Sequence, residues 1–95
     1  SAVQGLLESL ANPIRRGIVA FVAVSGPASY STLLRRNFAD SSSKLSFHLT
    51  KLQSDGLLKK RKDGTYGLTD QGLRASGLVR ALADDGEMPV YLAPP

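Results

Sequence analysis

Ser42-Ser43-Lys44-Leu45-Ser46-Phe47-His48-Leu49-Thr50-Lys51-Leu52-Gln53-Ser54-Asp55-Gly56 is the stretch whose reading decides the fold. Leu45, Leu49 and Leu52 recur at i, i+4 and i+7, the spacing of one helix face. Ser42, Ser43, Ser46, Phe47, Thr50 and Lys51 fall on the other faces. Asp40 to Ser43 is a run of short polar side chains able to accept from free backbone N–H groups at a helix start. Asp55-Gly56 ends the segment, glycine being the residue that tolerates a left-handed cap. The spacing predicts a helix over about 42–54 with a narrow apolar face and a short, polar, weakly basic outer face.

Upstream, Ser29 caps a shorter helix carrying Tyr30, Leu33 and Leu34, with Phe38 continuing its face and Arg35 and Arg36 pointing away. Before it, Asn12-Pro13 reads as a cap followed by proline at the first helical position. The helix so begun shows Arg15 and Arg16 early and is apolar nearly all round from Ile18 to Val24, which places it at the centre of the core. Val3, Leu6, Leu7 and Leu10 predict an amphipathic first helix. Downstream, Leu57 to Lys62 and Thr65 to Leu68 flank Asp63-Gly64, a dipeptide suited to a two-residue type I′ hairpin turn. Thr69 caps a last helix in which Ala75, Leu78, Val79 and Leu82 form a stripe larger than so small a core needs. From Asp84 the chain turns acidic and Pro-rich, so residues 1–83 read as the domain and 84–95 as a tail or linker.

The charge is unevenly placed. Between Arg35 and Lys62 eight basic residues face two acidic ones, a net +6 within 28 residues, whereas the other 67 hold four basic and six acidic side chains. The whole chain carries +4. Two helices joined by a short turn, the second with a small polar outer face, followed by a basic hairpin, form an arrangement that sets a helix in a major groove beside phosphate-gripping cations.

At these residues a family resemblance is plain. Leu45 to Leu57 resembles the recognition-helix segment of winged helix-turn-helix regulators of the ArsR type, and Leu10-Ala11-Asn12-Pro13-Ile14-Arg15 resembles the helix opening common among them. Tyr66-Gly67-Leu68-Thr69-Asp70-Gln71-Gly72 is similar to the junction between wing and last helix in MarR-like and archaeal winged-helix proteins. The likeness spans about Leu6 to Leu82. It implies a mainly α fold of about five helices with a two-stranded β wing, and a homodimeric transcriptional regulator that binds double-stranded DNA sequence-selectively. On that reading Ser42, Ser43, Ser46 and Phe47 lie where base contacts arise. Lys44, Lys51, Arg35 and Arg36 lie along the phosphates, and Lys59, Lys60, Arg61 and Lys62 form the wing. Val3, Leu6, Leu7, Leu10, Ala75, Leu78, Val79 and Leu82 would form the dimer seam, with half-sites about one helical turn apart. Phe47 stands where such helices often carry a polar or basic side chain, which leaves thymine-methyl contact or plain packing for it.

Other classes find little footing. With no cysteine and one histidine, thiolate metal sites, disulfides and Cys nucleophiles are excluded, so no metal and no cofactor is expected. No Gly-rich phosphate loop or activated nucleophile is present, and no enzyme is expected. His48, beside Leu49, reads as a structural imidazole. The longest apolar run is seven residues, far below the ~20 of a membrane-spanning helix. No signal-peptide pattern opens the chain, and a cytoplasmic protein is the expectation. The first residue, Ser1, is consistent with a processed or excised start. Two alternatives to DNA binding remain open at this point. One is a winged-helix docking module, to which Val90-Tyr91-Leu92 could contribute. The other is a repressor answering a small-molecule effector that nothing in the sequence names.

Overall fold

Asn12 sets the first firm boundary: its side-chain oxygen accepts from the N–H groups of Ile14 at 2.8 Å and Arg15 at 3.2 Å. Pro13 occupies the first turn, where its missing N–H costs nothing. A computed structural model of the chain describes residues 2–87. The elements are α1 (Ala2–Leu10), α2 (Pro13–Ser25), α3 (Tyr30–Arg35), α4 (Ser42–Ser54), β1 (Leu58–Lys60), β2 (Tyr66–Leu68) and α5 (Asp70–Glu87). This is a winged helix-turn-helix fold. β1 and β2 pair antiparallel, with Leu58 opposite Leu68 and Lys60 opposite Tyr66.

The core forms where the apolar faces meet. Ile18, Val19 and Val22 of α2 are enclosed by Leu33, by Leu45, Leu49 and Leu52 of α4, by Leu57 and Leu58, and by Ala75 of α5. Burying each of the larger of these aliphatic side chains stabilises the fold by about 1.5–3 kcal/mol. α2 does lie at the centre, as its all-round apolarity predicts. The wing is tied in twice. Leu57 N–H donates to the Leu52 carbonyl at 3.0 Å, so the hairpin springs from the end of α4. Ala28 and Tyr66 exchange two backbone hydrogen bonds, at 3.0 and 2.8 Å, which adds a bridge the sequence did not suggest.

Two local expectations are corrected. The Asp63-Gly64 turn is not a two-residue type I′ turn: Gly64 N–H donates to the Arg61 carbonyl at 3.0 Å, and Gly64 alone in the loop has positive φ, 88°. The connection is thus longer, and the strands shorter, than the sequence suggested. Asp63 Oδ1 accepts from Thr65 N–H at 2.9 Å and from Thr65 Oγ1 at 2.6 Å, a local turn that competes with the tighter one. Phe38 does not continue α3, which stops at Arg35. Asn37 takes φ 60°, and Phe38 packs on Phe21 at 5.6 Å between ring centroids. α5 runs from Asp70 to Glu87, and Val90-Tyr91-Leu92 lies outside the described residues.

α5 approaches the root of the wing tightly at Gly72. A Cβ there would stand 2.0 Å from the Leu57 carbonyl oxygen. That oxygen already accepts from Thr69 N–H at 3.1 Å, and Thr69 Oγ1 donates to the Gly56 carbonyl at 2.6 Å while accepting from Gly72 N–H at 3.0 Å. A side chain on this turn would pry α5 from the root of the wing.

Candidate nucleic-acid interface

Two serine caps frame the helix pair. Ser29 accepts from Thr32 N–H at 3.1 Å to start α3, and Ser41 accepts from Lys44 N–H at 3.2 Å to start α4. With Leu45, His48, Leu49 and Leu52 buried, α4 leaves Ser42, Ser43, Lys44, Ser46, Phe47 and Thr50 exposed on one outer surface. Tyr30 braces that surface from α3. Its hydroxyl donates to the Ser42 carbonyl at 3.1 Å and lies 3.2 Å from Ser46 Oγ, which is then placed to donate in return. Sequence reasoning took Tyr30 only as part of an apolar face, because a contact between two helices has no signature in local spacing.

Behind α4 lies a polar junction that the sequence did not disclose. Arg15 is only 9% exposed and makes no ion pair among the described residues. Its Nε donates to the Ser9 carbonyl at 3.1 Å, its Nη2 to the Glu8 carbonyl at 3.1 Å, and its Nη1 lies 3.0 Å from His48 Nδ1. A guanidinium has donors only, so Nδ1 is the acceptor and His48 is neutral, with its proton on Nε2. Burial, then the charges of Arg15 and Lys44, push the imidazole below its ordinary 6.5. The carbonyls of Glu8 and Ser9 belong to the last turn of α1, the negative end of the helix dipole. That end compensates a buried cation in place of a carboxylate. Ser9 Oγ donates to Asp55 Oδ2 at 2.5 Å, so α1, α2 and α4 are locked together just under the exposed surface.

The basic residues expected at the phosphates fall into four sets. Lys59, Lys60, Arg61 and Lys62 are exposed around an open hollow at the wing and form no ion pair among the described residues. Lys60 Nζ lies 5.8 Å from the Tyr66 ring centroid. Arg35 and Arg36 are exposed at the end of α3, and Arg36 rests over the Phe21 ring at 4.8 Å. Lys44 is exposed but pairs with Asp40 at 3.2 Å, an i, i+4 contact worth little in water. Lys51 differs. It sits on the α1 side of α4, 3.3 Å from both Glu8 and Asp55, and these hydrogen bonds raise its pKa. The structure does not bring Lys51 to the surface of the phosphate-path residues, because two carboxylates already neutralise it.

The expected dimer stripe also splits. Leu10 and Ala75 are buried in the monomer core, and Leu6 and Val79 pack against it. Val3, Leu7, Leu78 and Leu82 remain exposed, Val3 at 66% and Leu82 at 59%. The stripe reads as one in sequence because i, i+3, i+4 and i+7 interleave two rows. Leu6 with Leu10, and Ala75 with Val79, point inward, while Val3 with Leu7, and Leu78 with Leu82, point outward. Leu10 and Ala75 are therefore withdrawn from any seam.

Residues 10–61 match the family described as helix-turn-helix domain. Among solved structures, the chain is similar to HlyU from Vibrio cholerae, 28% identical with a TM-score of 0.70, covering 85% of this chain and 87% of that one. It also shares its fold with an ArsR family transcriptional regulator, 23% identical with a TM-score of 0.64, covering 99% of this chain and 94% of that one. No curated protein sequence matches. Among the described residues, no helix is long and apolar enough to cross a membrane.

Proposed function

This chain belongs to the helix-turn-helix domain family, and we propose that it is a DNA-binding transcriptional regulator of the ArsR type that reads double-stranded DNA sequence-selectively as a homodimer. The observation that carries the reading is the pairing of an outward polar face on α4 with unneutralised cations on the adjoining hairpin. α4 enters the major groove with Ser42, Ser43, Ser46 and Phe47 toward base edges. Lys59, Lys60, Arg61 and Lys62, with Arg35, Arg36 and Lys44, meet the flanking phosphates and supply most of the affinity.

The homodimer reading rests on Val3, Leu7, Leu78 and Leu82, large side chains left in water on α1 and α5. A second copy related by two-fold symmetry would cover them and present two α4 helices to half-sites about 34–36 Å apart. Selection of bound sequences from a random duplex pool tests both parts at once. The expected product is a site with two-fold symmetry at that spacing. Binding without enrichment of any sequence would leave a general DNA binder, and enrichment of a single unrepeated element would remove the dimer.

A further inference from the structure

Phe47 is 62% exposed in the middle of a surface otherwise made of serine, threonine and lysine. Phe47 is not among the side chains that form the buried core. Packing within the core therefore does not account for a phenylalanine at this position, most of whose surface faces the same side as Ser42, Ser43 and Ser46. The ring is nonetheless supported on one side. It stands edge-on to His48, with centroids 5.3 Å apart and planes at 74°, a favoured aromatic geometry. His48 is in turn fixed by Arg15 at 3.0 Å. The preceding residue, Ser46, is held by Tyr30 at 3.2 Å. His48 from behind α4 and Tyr30 from α3 thus hold an apolar plate and a hydroxyl side by side on the outer face of the helix.

A phenyl ring offers no hydrogen bond to a base edge. In the major groove the one apolar feature it can cover is the methyl group at C5 of a pyrimidine, which thymine carries and uracil and cytosine lack. We propose that Phe47 reads a pyrimidine 5-methyl group within each half-site, accepting thymine or 5-methylcytosine by the same contact. The inference rests on the placement of α4 in the major groove given above. A thymine is thereby read by its methyl rather than by its carbonyl. A site with cytosine at the same position becomes sensitive to C5 methylation, which makes binding dependent on a covalent mark on DNA.

The test uses the duplex enriched from a random pool. Each thymine of a half-site is replaced in turn by uracil, and in a parallel set by cytosine or 5-methylcytosine. At one position, removal of the methyl should weaken binding about fourfold, the value of burying one methyl-sized group. Both the thymine-to-uracil and the methylcytosine-to-cytosine ratios should show it there. Phe47→Ala should bring both ratios to one while leaving helix content unchanged, and Phe47→Leu should retain part of each. Binding that is indifferent to every pyrimidine methyl overturns the proposal and leaves DNA reading by α4 intact. Binding with no enriched sequence at all overturns both together.

Discussion

Removing wing cations should change the salt dependence of DNA binding, and removing Lys51 should not. Each phosphate neutralised by a cation contributes about 0.9 to the slope of log K against log salt on duplex DNA. Lys60 and Arg61 are exposed and unpaired among the described residues, so Lys60→Gln with Arg61→Gln should make the slope shallower by about 1.8 per bound subunit. Between about 50 and 200 mM salt the protein's affinity should then fall by roughly twelvefold less per subunit than the unaltered chain's. Lys51 is held 3.3 Å from both Glu8 and Asp55, and its charge is already matched within the fold. Lys51→Gln should leave the slope unchanged within about 0.3. Fluorescence anisotropy titrations on a random-sequence duplex at four salt concentrations measure all three proteins. A slope loss for Lys51→Gln of about 0.9, half that of the double wing variant, would refute the division of the basic residues.

Four further outcomes are expected. Gly72→Ala forces a Cβ to 2.0 Å from the Leu57 oxygen, which should cost about 3 kcal/mol and lower the melting temperature by about 12–24 °C; a shift under about 4 °C in a thermal melt would contradict the close approach. The buried Arg15 satisfies two carbonyls and His48, so Arg15→Met should destabilise by about 3 kcal/mol, measured by urea unfolding, and a neutral substitution would show that the junction is dispensable. Because folding lowers the pKa of His48 below 6.5, the unfolded chain binds a proton that the folded chain refuses. That contribution is complete above about pH 6.5 and is lost as the pH falls toward the lowered value; melts across this range should show the decline, and His48→Gln should flatten it. Leu7→Asp with Leu82→Asp should yield monomers by sedimentation velocity and weaken operator binding, whereas a variant that stays dimeric would place the seam elsewhere.

Much of this molecule is written locally. The period of Leu45, Leu49 and Leu52, the caps at Asn12, Ser29, Ser41 and Thr69, and the bare cations after Leu58 depend on residues a few positions apart. Capping and helix periodicity act within one or two turns, so helix starts and the outer face of α4 could be read without coordinates. Turn geometry at Asp63 was misread because a side-chain bond from Thr65 competes with the backbone preference of the dipeptide.

The helix-turn-helix pair, the hairpin and the concentration of positive charge between Arg35 and Lys62 follow from residues near one another in the chain. Packing between distant segments sets the pairing of Lys51 with Glu8 and Asp55, the burial of Leu10 and Ala75, the support of α4 by Arg15 and His48, and the exposure of Phe47. Partners such as Glu8 and Lys51 lie 43 positions apart. Which of two interleaved rows on a helix turns inward is settled by the neighbour that covers it, and that neighbour comes from elsewhere in the chain.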